Sequence, residues 1–119
     1  MSFSCIEFEI FLDERSLFKP LNFQVNAGEQ VCIMGPSGTG KSSLLSAIAG
    51  SLEPAFTCRG DLRLNQVSLL GQSLTNRKVG LMFQDDLLFP HFNVSQNLAF
   101  ALPRGLNAKQ RNEKISQAL

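Results

Sequence analysis

The stretch GPSGTGKSS, residues 35–43, constrains this chain more than any other part of it. It matches the pattern G-x-x-x-x-G-K-[ST], with the fixed positions filled by Gly35, Gly40, Lys41 and Ser42. The apolar segment EQVCIM (29–34) precedes it, and KSSLLSAIAGSL (41–52) follows it with apolar residues at helical spacing. The sequence therefore predicts a buried strand, a glycine-rich loop and a helix in this order.

This loop has the chemistry of a polyphosphate site. Glycines let a backbone curve so that its N–H groups face inward, and a helix N-terminus favours an anion by about 0.3–2 kcal/mol. We expect Lys41 to reach the β- and γ-phosphates, Ser42 to ligate Mg²⁺ and Ser43 to donate to a phosphate. The alternative is a strand-to-helix turn that binds nothing. The predicted nucleotide-binding set is Gly35, Pro36, Ser37, Gly38, Thr39, Gly40, Lys41, Ser42 and Ser43.

Composition narrows the class of protein. The 119 residues are the size of one small domain, and 44% hydrophobic content suffices for a core. The net charge of +1 gives no general attraction to nucleic acid. Three widely spaced cysteines predict reduced thiols rather than disulfides or a zinc site. No apolar stretch approaches the roughly 20 residues that span a bilayer, so we expect membrane contact only through a partner.

The remaining patterns predict an α/β organisation. Residues 3–11 and 17–25 are typical of an antiparallel hairpin, and DLRLNQ (61–66) of a further strand. Residues 77–83, RKVGLMF, predict a strand that, like 29–34, is buried on both faces. Two helices are predicted at 93–102 and 106–119, the first stopped by Pro103 and the second capped by Asn107.

Two long segments carry a family resemblance. Residues 20–50, with Gly28-Glu29 before the loop and LLSAIAG after it, resemble the start of the nucleotide-binding domain of ATP-binding cassette (ABC) transporters. Residues 77–102 resemble the Q-loop segment of that family, with Gln84 at the glutamine position. Within them, LFPHFNVSQNLAF is similar to the bacterial importer branch.

The resemblance implies a fold. The implied fold would be an α/β P-loop NTPase (RecA-like) core with an N-terminal antiparallel β hairpin subdomain. Residues 1–119 would form the N-terminal part of one nucleotide-binding domain. Residues 1–28 would be its antiparallel β region, 29–92 its phosphate-loop and Q-loop core, and 93–119 the start of its helical subdomain.

The resemblance also implies a function. The chain would be part of an ATP-binding subunit that uses ATP and Mg²⁺ to energise import of a small solute. Transmembrane permease subunits would contact the 85–92 segment, and a second nucleotide-binding domain would complete a head-to-tail dimer. The protein would then be cytoplasmic and peripheral on the inner face of the plasma membrane. The transported solute cannot be read from an ATP site.

Gln84 follows the predicted strand 77–83. A strand emerging beside the phosphate loop can deliver one side chain to the γ-phosphate, and a glutamine amide can touch Mg²⁺ or orient a water. The resemblance implies this role for Gln84, which with Lys41 forms the expected catalytic pair. Another hypothesis is a stand-alone P-loop kinase or GTPase whose Mg²⁺ is held by Asp85 or Asp86. For His91, a solvated loop position and a partner contact are both open.

The resemblance further implies an aromatic ring stacked on adenine, and Phe11 lies near that position with Leu12 beside it. A phenylalanine ring can stack as a tyrosine does, but a core role for Phe11 is equally open.

Three elements of the family are not found in these residues: an LSGGQ-type motif, an apolar strand ending in Asp-Glu, and a later histidine. We therefore expect ATP hydrolysis only as part of a complete domain, and a sheet left incomplete because the chain ends early. The 119-residue chain alone should be inactive and prone to aggregate. A non-catalytic nucleotide-binding remnant is the third hypothesis.

Overall fold

The computed structural model describes all residues from Met1 to Leu119. The chain divides into two compact units, Met1–Leu81 and Met82–Leu119, which are described one at a time. None of the helices combines the length and the apolar character needed to cross a bilayer. The predicted division into residues 1–28, 29–92 and 93–119 stays a prediction.

The first unit is built on an antiparallel sheet. Its central strand β1 (Ser2–Leu12) pairs along one edge with β2 (Arg15–Ser16) and β3 (Leu21–Asn26). Along its other edge β1 pairs with β4 (Phe56–Leu64), which in turn pairs with the short β5 (Val67–Ser68). The predicted hairpin is confirmed, since Phe3 lies opposite Val25 and Phe8 opposite Leu21. The strand predicted at 61–66 begins five residues earlier, at Phe56.

A bulge interrupts the alternation of β1. Cys5, Phe8 and Ile10 are all buried, although Cys5 and Phe8 are an odd number of residues apart. The register of β1 shifts between Ile6 and Glu9, where Glu7 has a φ of 44°. Across from it, Gly60 has a φ of 86°, and a Cβ there would lie 2.2 Å from the Glu7 carbonyl oxygen. The extra residue in β1 therefore turns both halves of the strand toward one core.

Helix α1 (Lys41–Ala49) covers this sheet and completes the core. Leu44 and Ala47 of α1 pack in one cluster with Phe8, Ile10 and Leu62 of the sheet. The helical spacing predicts a helix to residue 52, but Gly50 adopts the left-handed conformation and ends it at Ala49. This unit also contains the one-turn helix α2 (Leu74–Arg77).

The two strands predicted to be buried on both faces are absent, which corrects the sequence-based assignment. Residues 29–36 and 78–83 have no regular secondary structure. Most of their apolar side chains are exposed, with Val31 at 50%, Met34 at 87% and Met82 at 93% of full exposure. A strand of a parallel sheet needs a neighbouring strand for its N–H and C=O groups. Neither segment pairs with any other part of residues 1–119.

The second unit contains two helices, α3 (Val94–Phe100) and α4 (Ala108–Ala118). Asn107 caps α4 as predicted, and its side chain accepts a hydrogen bond from the Gln110 backbone N–H at 2.9 Å. Asn93 caps α3 in the same way, through a bond of 2.8 Å from the Gln96 N–H. Both are complete capping boxes, in which the glutamine side chain bonds back to the cap residue. Helix α3 ends before Pro103, at Phe100.

Candidate phosphate-binding site

The glycine-rich loop leads directly into α1. Its last residue, Gly40, is the N-cap, has a φ of 93° and supplies no side-chain acceptor. A Cβ at Gly40 would lie 3.0 Å from Cδ1 of Phe18, so both the backbone angle and the packing require glycine. No side chain therefore caps the first N–H groups of α1, which are the donors that an anion binds at a helix N-terminus.

Lys41 folds back over the loop that precedes it. Its Nζ donates hydrogen bonds to the carbonyl oxygens of Gly35 at 2.5 Å and Pro36 at 2.7 Å. The Thr39 hydroxyl donates to the same Pro36 carbonyl at 2.8 Å. The positive charge is thus held at the mouth of the loop by neutral acceptors. Phosphate oxygens would replace these acceptors favourably, because they carry the negative charge that the neutral carbonyls lack and would pair with the ammonium charge.

A cavity of about 280 Å³ opens beside this loop. Apolar side chains and residues of the loop line it together, including Phe18, Leu21, Met34, Gly35, Thr39 and Lys41. Ser42 is exposed in the first turn of α1 and offers a hydroxyl oxygen, the kind of ligand that Mg²⁺ prefers. The residues present therefore fit a polyphosphate with its magnesium ion.

Phe11 lies near the end of β1, on the other side of the sheet from α1. Ile10 packs in the core with Leu44, and successive side chains of a strand point to opposite faces, so Leu12 rather than Phe11 shares the face that α1 covers. The Arg59 guanidinium lies 4.8 Å from the centroid of the Phe11 ring. These two side chains and Thr57 border a cavity of about 510 Å³. Adenine stacking by Phe11 stays a prediction.

Gln84 belongs to the second unit, whereas the glycine-rich loop belongs to the first. It is exposed in a segment without regular structure, as are the two aspartates that follow it, Asp85 and Asp86. The chain contains no group of three or more His, Cys, Asp or Glu side chains placed to hold a metal ion. The roles of Gln84 in catalysis and magnesium binding therefore stay predictions.

The 85–92 segment ends in an aromatic cluster. The Phe89 ring lies 4.7 Å from Phe100 and 5.2 Å from Phe92, and the His91 ring lies 4.4 Å from Phe92, all between centroids. His91 thus contacts the Phe89 and Phe92 rings at steep interplanar angles and remains exposed. The preceding Leu87 and Leu88 are about two-thirds exposed, at 66% and 65%.

Two residues that organise these regions were missed in the sequence. The Asn97 amide accepts from the Phe89 N–H at 2.9 Å and donates to the carbonyls of Phe89, Phe92 and Asn93 at 3.0–3.3 Å. In the first unit, the Arg77 guanidinium bonds to the C-terminal end of α1. Both act on backbone groups of other segments, so no spacing in the sequence indicates them.

The fold and the loop define a class of protein, the P-loop nucleotide-binding proteins of α/β type. The sequence model of one family within it, described as ABC transporter, matches residues 18–119. Because this match covers most of the chain, the protein belongs to the ABC transporter family. The predicted family and the predicted P-loop NTPase fold are therefore confirmed.

Individual relatives agree with this assignment. The chain is 43% identical over 108 residues to the uncharacterized ABC transporter ATP-binding protein YnjD of Escherichia coli K12, covering 91% of this chain and 50% of that protein. It is 40% identical over 109 residues to the thiamine import ATP-binding protein ThiQ of Haemophilus influenzae Rd, covering 91% and 49%.

A third relative is the ergothioneine transport ATP-binding protein EgtV of Helicobacter pylori G27, 36% identical over 106 residues, covering 88% of this chain and 48% of that protein. The chain spans about half the length of the curated relatives it matches.

Proposed function

We propose that this chain is the phosphate-binding part of an ATP-binding subunit that energises the import of a small solute. The observation that carries the proposal is the loop geometry, in which Lys41 is held by the Gly35 and Pro36 carbonyls at the uncapped start of α1. Two relatives whose names include thiamine import and ergothioneine transport support the importer class.

In this proposal the chain's own groups bind and orient the nucleotide. The N–H groups of the loop and of Lys41, Ser42 and Ser43 donate to phosphate oxygens, and the Lys41 ammonium exchanges loop carbonyls for phosphate. The Ser42 hydroxyl and the Gln84 carbonyl oxygen would hold Mg²⁺, and Gln84 would orient the attacking water. Bound Mg²⁺ supplies positive charge at the phosphates.

An aromatic or apolar wall receives the adenine ring, and Phe11 is the candidate from the sequence. The strand alternation described above favours its neighbour Leu12 if the base lies on the side of the sheet that carries α1. A comparison of Phe11→Ala with Leu12→Ala separates the two. The variant that weakens ATP binding while leaving binding of inorganic triphosphate unchanged identifies the residue beside the base.

Partners complete the proposed site. A second nucleotide-binding domain faces the bound ATP in a head-to-tail dimer, and hydrolysis belongs to the complete domain. Transmembrane permease subunits contact the 85–92 segment, where exposed Leu87 and Leu88 precede the aromatic cluster. This arrangement places the protein in the cytoplasm, at the inner face of the plasma membrane. Membership of the ABC transporter family favours this function over a stand-alone kinase or GTPase.

Nucleotide affinity tests the proposal. Replacing Lys41 by alanine removes the charged donor, so we expect Mg-ATP affinity to fall about 10- to 100-fold, in line with about 1.5–3 kcal/mol for a charged hydrogen bond. Lys109→Ala, on the exposed surface of α4, is the matched control and should bind as the wild type does. Equal affinity in Lys41→Ala and the wild type would contradict the proposal.

Turnover distinguishes the alternatives. Steady ATP or GTP hydrolysis by the 119-residue chain that is lost in Asp86→Asn would favour the stand-alone enzyme. Binding without turnover, lost in Lys41→Ala, agrees with the transporter subunit and with the non-catalytic remnant.

The 85–92 segment is tested in the complete transporter. Phe89→Ala or Phe92→Ala should reduce transport while ATP binding remains. Equal loss of transport and ATP binding would show that these rings belong to the core.

A further inference from the structure

Arg77 joins two segments of the first unit that are distant in sequence. Its Nη1 donates to the carbonyl oxygens of Ala47 at 2.6 Å and Ile48 at 3.3 Å, in the last turn of α1. Its Nε donates to the Gln72 carbonyl at 3.1 Å, in the turn that leads into α2. One guanidinium therefore holds the C-terminal end of α1 against the segment that begins near Gln72.

The site is shaped for this side chain. The last carbonyls of a helix have no partner within the helix and carry its negative dipole end, so a cation is favoured there. Gly50 leaves room for the guanidinium, since a Cβ at Gly50 would lie 2.9 Å from the Arg77 Nε. Only the planar fork of arginine presents donors in several fixed directions at once, which a lysine cannot do.

The two ends of α1 thus contact different parts of the first unit. The N-terminal end begins at Lys41 in the glycine-rich loop, and the C-terminal end is bonded to Arg77. A nine-residue helix is a rigid rod of about 13 Å. From Arg77 the chain continues through residues 78–83 to Gln84. Those six residues form no strand, and among them Val79 alone packs against the core cluster.

We propose that Arg77 is a positioning residue that ties the phosphate-loop helix to the segment ending in Gln84. The inference rests on the proposed nucleotide-binding function. It adds a route by which phosphate bound at the glycine-rich loop restrains the segment that ends in Gln84. Phosphate bound at the start of α1 would restrain the position of this rigid helix. Through the bonds at Ala47 and Ile48, Arg77 then holds the start of the 78–84 segment in one position.

Hydrogen–deuterium exchange of the chain, with and without Mg-ATP, tests this route. In the wild type, Mg-ATP should slow exchange across residues 78–84 at least about threefold. Arg77→Ala should bind Mg-ATP within about threefold of the wild-type affinity, yet show less than half of the wild-type slowing across 78–84. Arg15→Ala, an exposed arginine of β2, is the matched control and should respond as the wild type does.

Arg77→Lys provides a second variant in case Arg77→Ala does not fold. It keeps the positive charge but cannot bond to both α1 and Gln72, so the slowing across 78–84 should be less than half that of the wild type. A full response in either folded variant overturns the inference, as does a wild type that binds Mg-ATP without any change at 78–84. A wild type that does not bind Mg-ATP overturns the proposed function, and this inference falls with it.

Discussion

Strand β1 and the segments 29–34 and 78–83 differ in structure although each is rich in apolar residues. Phe8 and Ile10 of β1 are completely buried, whereas Val31 is 50% and Met82 is 93% exposed. β1 lies between β3 on one edge and β4 on the other, so its backbone groups are bonded on both sides. The other two segments have no neighbouring strand.

This difference shows that an apolar segment is buried as a strand only when a neighbouring strand can bond its backbone N–H and C=O groups. An extended segment with unpaired N–H and C=O groups gains little from burying its side chains, because buried backbone groups without partners cost free energy. In the antiparallel sheet, β3 and β4 lie within the same unit as β1 and bond its two edges. A strand of a parallel sheet pairs instead with strands that are distant from it in the chain, because parallel strands are joined by long crossover connections.

The largest expected effect is on the core of the sheet. Phe8→Ala removes a fully buried ring that packs in one cluster with Leu44 and Leu62, and should lower the free energy of unfolding by about 3–5 kcal/mol. Met82→Ala, in the exposed segment, should change it by less than about 0.5 kcal/mol. Urea denaturation followed by circular dichroism measures both. Similar losses in the two variants would show that both segments are buried in solution.

Glycines in the two regions provide the second test. Gly60→Ala places a Cβ 2.2 Å from the Glu7 carbonyl at a φ of 86°, so the free energy of unfolding should fall by at least about 2 kcal/mol. Gly80, in the 78–83 segment, has open space around it, and Gly80→Ala should be neutral or stabilise by up to about 1 kcal/mol. A tolerated Gly60→Ala would contradict the bulge between β1 and β4.

The alkylation rates of two cysteines compare β1 with the 29–34 segment in the unmutated protein. Cys5 of β1 is 2% exposed, and burial raises the pKa of its thiol from 9.0 to about 11, which lowers its thiolate fraction about 100-fold. Cys32 lies in the exposed 29–34 segment. Iodoacetamide at pH 8 should therefore alkylate Cys32 at least about 100-fold faster than Cys5, as measured by mass spectrometry. Rates within tenfold of each other would mean that the sheet opens readily.

The smallest effect concerns acid stability of the sheet. The Ser68 hydroxyl donates to Asp61 at 2.5 Å and, with the Arg63 guanidinium, lowers the pKa of the Asp61 carboxyl. A lowered pKa stabilises the fold above the pKa of the unfolded chain, about 3.9, and this contribution is lost as the pH falls below it. Ser68→Ala should therefore have a shallower loss of stability between about pH 4 and pH 2. An unchanged pH profile would show that Ser68 does not act on Asp61.

Local patterns in the sequence predicted much of this protein. The glycine-rich loop, the helix at Lys41 and the Asn107 cap are each specified by residues within a few positions of one another, and the hairpin of β1 and β3 by two alternating segments close in the chain. Such signals operate through turns, caps and the first helical turn, which depend on neighbouring residues alone. The family was also recognisable from two continuous segments, and its match over residues 18–119 confirms it.

The contacts between distant segments could not be predicted in this way. The pairing of β4 with β1, the bulge that joins Glu7 to Gly60 and the bonds from Arg77 to α1 link residues about 30 to 60 positions apart. The sequence alone determined which residues form the glycine-rich loop. Tertiary structure alone decided which apolar segments became strands and which face of the sheet Phe11 occupies, because a strand exists only when a partner satisfies its backbone.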